Sequence, residues 1–225
     1  IIVSDPVELR RKLFLEQFGT AVTEDNRQLV TESRCLIIAV KPQMFDEVFA
    51  PLASLVTKDH LLVSIMAGIG ARRIAAVVSG CKARVVRVMP NLPIRAGAGM
   101  AGVVAGEHAS PDDVTYVCNL FNAGGQSVVL NDESLIDAVT AVAGSGPAYF
   151  YYMVEAMTAG GVEAGLAPQD ALKLAENTCL GAARMMLETQ EEPAELRRKV
   201  CSKGGTTLAA IEHMERTGVG ENIKQ

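Results

Sequence analysis

Short apolar runs separated by helical patterns dominate the first half of this chain. "IIVS" at the start, "CLIIAV" (35–40), "HLLVSI" (60–65) and "ARVVRVM" (83–89) are too short for buried helices. They are also too continuously apolar for a sheet with a wet face, so they read as parallel strands covered on both sides. The stretches between them supply the cover. "VELRRKLFLEQFG" repeats Leu9, Leu13, Phe14 and Gln17 at helical spacing and closes on Gly19. "GTAVTED" is a short strand or turn, and Asn26 is placed to cap a short helix through Glu32. Pro42 sits at a helix start with "QMFDEVFAPLASLV" behind it, and "GARRIAAVVSG" (70–80) follows. Strands alternating with helices in this way define an α/β class with a doubly wound parallel sheet.

The second half changes character. "GMAGVVAG" and "QSVVL" read as edge strands around the helix "SPDDVTYVCNLFNAGG", and everything from Glu133 onward is helical in pattern. "GPAYFYYMVEAMTAGGVEAG" is apolar on nearly every face, which demands burial on all sides. The residues that remain are too few to enclose such a helix. A second copy of the chain is the economical cover, with Ala159, Gly160 and Gly161 allowing close approach. The switch sets two domains, 1–131 with the sheet and 132–225 all helical.

Composition excludes several classes. With 49% hydrophobic and 21% charged residues and a net charge of −5, the chain is globular and lacks the basic excess of a nucleic-acid binder. No apolar run reaches the ~18–20 residues of a membrane span. Five cysteines without a CxxC pair read as reduced thiols of a cytoplasmic protein. His60, His108 and His213 share no ligand spacing with them, so no metal is expected. The first residue is Ile and opens a strand, so further residues are expected upstream, with a processed mature terminus as the alternative.

Parallel α/β sheets bind ligands beyond the carboxyl ends of their strands. Four places qualify: Ser4–Asp5–Pro6, "AVKPQ" (39–43), "SIMAG" (64–68) and "VMPNLP" (88–93). Asp5 has two readings, as an acceptor for the ribose hydroxyls of a dinucleotide or as a helix cap before Pro6. Lys41 and Asn91 also read as a loop charge and a turn former. In "AVAGSGPAYF" (141–150), Gly144, Ser145 and Gly146 precede Pro147, either to meet a ligand or to let helices pack closely. "KVCSKGGTTLAAIEHMERTG" (199–218) crowds Ser202, Gly204, Gly205, Thr206 and Thr207 at one helix start. That helix is marked by Leu208, Ile211 and Met214, with Gly218 as its C-cap. One capping side chain would suffice there, so the other small donors point to an anionic ligand.

"AVKPQ", "MPNLP", "VAGSGPAY" and "SKGGTTLAAI", in this order and spacing, resemble the pyrroline-5-carboxylate reductase family over residues 1–225. The resemblance implies a Rossmann-like dinucleotide-binding domain before a helical substrate and dimerisation domain, in a homodimer or ring of dimers. It implies reduction of 1-pyrroline-5-carboxylate to L-proline, the last step of proline biosynthesis, with NADPH or NADH. It places Ser202, Gly204, Gly205, Thr206 and Thr207 on the substrate loop, with the Thr207 hydroxyl facing the imine nitrogen and Glu133 and Lys199 in substrate contact. Asp5, Asn26, Ala39, Val40, Lys41, Pro42 and Ala67 fall on coenzyme positions. It also implies a first strand and glycine-rich turn before Ile1 and a last helix running past Gln225. Two departures stand out: Lys203 where Pro is commonest, and Leu92 where Thr is frequent. Lys203 reads either as a cation helping to bind a carboxylate or as a solvated lysine. The competing readings are a related imine or keto-acid reductase, which should lack "SKGGTT", and a non-catalytic oligomeric binding protein or inactive fragment of the same fold.

Overall fold

The computed structural model describes residues 1–78 and 80–225; Ser79, inside the predicted helical stretch 70–80, lies outside the described residues. Two compact units are present, Ile1–Tyr149 and Phe150–Gln225.

The first unit begins with β1 (Ile2–Ser4), α1 (Glu8–Phe18), β2 (Ala21–Thr23) and α2 (Asn26–Glu32). β1 and β2 pair in parallel as a two-stranded sheet. Gly19 ends α1 in the left-handed conformation, as its position predicts. The cap of α2 is Asp25 rather than Asn26: the Asp25 carboxylate accepts the Arg27 N–H, and Asn26 is already helical. Either side chain suits a cap, so the choice falls to the backbone, which Thr23 Oγ1 fixes by accepting the Asp25 N–H at 3.0 Å.

A five-stranded sheet follows in the order β3 (Cys35–Ile38), β4 (Leu61–Ser64), β5 (Arg84–Met89), β6 (Gly99–Ala105), β7 (Gly125–Leu130). β3, β4 and β5 run parallel, β6 is antiparallel to β5, and β7 is parallel to β6. β6 is therefore interior, and only β7 of the two predicted edge strands lies at the edge. The short turn Leu92–Ala96 reverses the chain directly beside β5, leaving the outer place for β7 after α5 (Pro111–Asn122). The segment after Pro42 is broken into a 3₁₀ turn, α3 (Phe45–Phe49) and a second 3₁₀ turn Ala50–Leu55, because Pro51 has no N–H to continue α3. α4 (Ala71–Val77) joins β4 to β5.

Alternation along the central strands sorts their side chains into two cores. Leu62 and Val85 join Leu36, Ile38, Phe45, Phe49 and Ile74 on one face; Val63, Val86 and Val88 join Val103, Val114 and Val117 on the other. Each fully buried side chain of this size contributes about 1.5–3 kcal/mol. Ile37 departs from the expectation of cover on both sides, being 53% exposed. On the far face, α5 is fixed by a capping box of Ser110 and Asp113, and Asp113 also accepts from Arg84 at 2.6 Å.

After β7 the chain stays helical. A 3₁₀ turn Glu133–Leu135 leads into α6 (Ile136–Val139) and a π-turn Thr140–Gly144. α7 (Gly146–Glu163), α8 (Pro168–Thr189), α9 (Pro193–Val200), α10 (Thr206–Arg216) and α11 (Val219–Lys224) complete it. In the second unit, a side chain at Gly161 would meet Ala171 of α8 at 3.2 Å, so this glycine serves contact within the chain. Around Gly160 nothing lies within 4 Å. Phe150, Tyr151 and Tyr152 of α7 stand 60%, 54% and 74% exposed in the single chain, an apolar surface of the kind that subunit contacts cover.

β6 and β7 approach closely at Gly99 and Gly125: a Cβ on Gly125 would fall 2.0 Å from the Gly99 carbonyl oxygen, and its φ is +156°. Gly125→Ala is expected to cost at least the ~1–3 kcal/mol of overpacking, read as a lower denaturant midpoint. Gly220→Ala, with nothing within 4 Å of the added methyl, should leave the midpoint unchanged or raise it. Equal midpoints for the two variants would contradict the close approach.

Candidate active site

The expected coenzyme residues follow the ends of strands. Asp5 comes directly after β1, where its Oδ1 accepts the Val7 N–H at 2.8 Å and Oδ2 lies 3.5 Å from Arg10. Arg11 donates to the Asp5 carbonyl at 2.7 Å and pairs with Glu24 at 3.2 Å. Asn26 opens α2 just beyond β2. Ala39 and Lys41 are exposed and Val40 is half-buried past the end of β3, and Pro42 starts the following turn. Ala67 is exposed in the turn after β4, beside Gly68 with φ +73° and open space around it. This set fits a dinucleotide: a carboxylate for ribose hydroxyls, a cation for phosphate, and small residues where backbone meets ligand.

Two surface concavities lie elsewhere. One is lined by Asp170, Lys173, Leu174, Asn177 and Thr178 of α8, the other by Arg34, Lys58, Asp59 and Arg84 at the amino ends of the strands. Neither includes an expected site residue.

Glu133 is tied into the first unit. Its Oε1 accepts the Ala71 N–H at 2.7 Å and Arg87 Nη1–H at 2.9 Å, while its side chain stays 34% exposed. Asp132 beside it accepts the Ser134 N–H at 2.8 Å, and that bond holds its carboxyl below the ordinary carboxylate value. The stability it lends is present above the unfolded-state value and lost as pH falls through the lowered one. Asn91 does more than form a turn: it donates to the Ala143 carbonyl at 3.0 Å and accepts the Met100 N–H at 2.9 Å, joining β6 to the π-turn. Helical conformation runs into α7 from α6, so Gly146 opens no free helix start. Gly144 lies against Met89, which favours close packing over ligand binding for "GSGP".

The loop before α10 is a tight turn. Gly205 N–H donates to the Ser202 carbonyl at 2.9 Å and Gly204 has φ +72°, the pattern of a type II turn with Lys203 at its second position. Gly205 is the N-cap of α10 and no side chain caps it, which leaves the amides of Thr206, Thr207 and Leu208 open. Ser202, Thr206 and Thr207 are exposed around them, and a Cβ on Gly205 would meet Ser202 Oγ at 2.5 Å. The C-cap of α10 is Thr217 rather than Gly218, which follows in the left-handed conformation as the N-cap of α11. Lys199, on α9, pairs with Glu191. All five cysteines are free, and burial pushes the Cys35 thiol above its ordinary value. Among the described residues no group of His, Cys, Asp and Glu could hold a metal, and no helix is long and apolar enough to cross a membrane.

Comparison with known proteins adds two family matches. Residues 133–225 match pyrroline-5-carboxylate reductase dimerisation, and residues 1–68 match NADP oxidoreductase, coenzyme F420-dependent. A pyrroline-5-carboxylate reductase of Synechocystis sp. is 41% identical over 97% of this chain and 80% of its own length. One from Haemophilus influenzae is 40% identical over 100% of this chain and 83% of its own. The solved structure of a pyrroline-5-carboxylate reductase from Coxiella burnetii superposes with a TM-score of 0.91 at 34% identity, covering 99% of this chain and 83% of that one. These relatives and the NADP oxidoreductase match make the protein an NAD(P)H-dependent oxidoreductase. Within that class, the chain belongs to the pyrroline-5-carboxylate reductase family.

Arg87 is the residue that sequence reasoning passed over, although its signal was present as a cation set between Val86 and Val88 in the apolar run "ARVVRVM". For the loop before α10, the turn itself yields a test. Proline pre-sets φ at the second position of a type II turn, so Lys203→Pro should raise stability by about 0.4–1 kcal/mol. A denaturant midpoint that fails to rise would mean that the Lys203 backbone is held in another conformation.

Proposed function

We propose that the chain reduces 1-pyrroline-5-carboxylate to L-proline, the last step of proline biosynthesis, with the substrate carboxylate held at the start of α10. The observation that carries this reading is the uncapped helix start behind a two-glycine turn. Open amides and the positive end of the helix dipole favour an anion by roughly 0.3–2 kcal/mol, and each charge-assisted hydrogen bond adds about 1.5–3 kcal/mol. Ser202 and Thr206 supply hydroxyl donors, and Gly204 and Gly205 let the backbone come close. The Thr207 hydroxyl faces the imine nitrogen, where it orients the N–H; it is too weak an acid to drive protonation. None is needed, because an imine nitrogen is itself basic enough to take up a proton near neutral pH. Glu133 and Lys199 are read as further substrate contacts.

The bound coenzyme supplies the hydride that the C=N carbon accepts. Asp5 receives the ribose hydroxyls, Lys41 meets phosphate, and Asn26, Ala39, Val40, Pro42 and Ala67 shape the backbone that the nucleotide lies against. The enzyme works as a homo-oligomer in the cytoplasm, with the apolar surface of α7 in the subunit contact.

Two predictions test the assignments. Asp5 repels a 2′-phosphate, so the intact protein should bind NADH more tightly than NADPH, and Asp5→Ser should narrow the gap between their dissociation constants; a gap that Asp5→Ser leaves unchanged would reduce Asp5 to a cap. Thr207→Val should lower kcat/KM for 1-pyrroline-5-carboxylate roughly 10–150-fold, equivalent to about 1.5–3 kcal/mol, with coenzyme affinity and melting temperature preserved. Ser202→Ala should instead act mainly on KM. Unchanged kinetics with a lowered melting temperature for Thr207→Val would retire the assignment.

A further inference from the structure

Arg87 is a charge buried where the fold does not need one. It lies on β5 between Val86 and Val88, opposite Ser64 of β4 and Val104 of β6, and its side chain is 8% exposed. Apolar neighbours of similar volume would hold this position at least as well, because a buried ion pair returns little net stability after desolvation. What the pair does supply is placement.

Its carboxylate partner reaches a turn. The segment Ile65–Gly70 leaves β4 with the Ile65 N–H on the Ile38 carbonyl at 3.2 Å and the Met66 N–H on Ser64 Oγ at 3.3 Å. It passes through Ala67 and left-handed Gly68 and ends at Gly70, the N-cap of α4, which has no side chain to cap with. Glu133 provides the missing acceptor from 62 residues away, at the Ala71 N–H, and the same oxygen is held by Arg87. One end of the turn is thus fixed by the sheet ladder, the other by a carboxylate that a buried guanidinium keeps in one position.

We propose that Arg87 is a positioning residue for the coenzyme: through Glu133 and the Ala71 amide, it sets the turn that carries Ala67. This rests on the reading of Ala67 as a coenzyme contact. Loss of the guanidinium frees the Glu133 carboxylate to turn toward water, and the turn then shifts away from the position that the dinucleotide requires. Displacements of about 1 Å in such supports weaken function by up to ~100-fold.

The test uses the intact protein as wild type, Arg87→Met, Arg87→Lys and the double variant Arg87→Met/Glu133→Leu, which removes both charges. NADH dissociation constants come from its fluorescence on binding, hydrogen exchange of the Ala71 amide is followed without coenzyme, and melting temperatures are recorded. Arg87→Met should raise the NADH dissociation constant about 10- to 100-fold and speed exchange at Ala71, with Arg87→Lys recovering a large part of both. In the double variant, a restored melting temperature should come without restored NADH affinity. Wild-type NADH affinity in the double variant, or in Arg87→Lys with a fast-exchanging Ala71 amide, would overturn the proposal. The underlying reading fails separately. If Ala67→Glu binds NADH normally, Ala67 does not contact the coenzyme, whatever Arg87 does to Ala71.

Discussion

Strands β4 and β5 bury both of their faces, and the rest of the first unit follows from that requirement. A doubly covered strand offers little room for chemistry along its length, Arg87 excepted, since side chains such as Leu62, Val63, Val85 and Val86 are fully enclosed. Polar function is therefore displaced to the strand ends, where backbone groups leave the ladder and need new partners. Ser64 shows the transition: it is fully buried as the last residue of β4, and its hydroxyl accepts the first free amide of the turn that follows. Asn91 does the same service after β5 with both ends of its amide. These side chains make irregular backbone rigid enough to present to a ligand.

The loop before α10 solves a different problem, because it has little core to lean on. Ser202, Thr206 and Thr207 are exposed, so the turn depends on its own backbone bond and on glycine at the left-handed position. A side chain at Gly205 would displace the Ser202 hydroxyl and crowd the Ser202 carbonyl, which would stand 3.1 Å from its Cβ. Lys203 leaves this turn less pre-organised than Pro would, at a place where rigidity has value. It gains a cation in exchange, beside the carboxylate that the proposed site receives.

Much of the fold was legible in the sequence because hydrophobic period and punctuation agree along it. β3, β4, β5, α1 and α5 each announce themselves by an apolar run or by a cap such as Gly19 or Ser110. What escaped depended on backbone bonds, chain reversals and distant partners that residue type alone does not encode. Whether Asp25 or Asn26 caps α2 turns on a bond from Thr23, and the interior position of β6 turns on a reversal whose direction no local pattern encodes. In the candidate site, motif recognition found the glycines and hydroxyls of residues 202–207, which are contiguous. Arg87 and Glu133 lie 46 residues apart, and their meeting is a property of the sheet and the helical turn after β7.

A helix with Phe150, Tyr151 and Tyr152 in succession presents aromatic surface around its circumference, and one neighbouring helix covers only one side. Within the chain that side is taken by α8 through Gly161 and Ala171, where the missing side chain lets the two helices approach. The exposed remainder must be covered from outside the chain, which agrees with the dimerisation family matched from residue 133 onward. In the proposed site the substrate loop follows α8 and α9 directly, so its anchorage belongs to the same helical unit that the oligomer stabilises. Subunit contact is then the answer to a packing problem: a helix too apolar to stand alone recruits a second copy.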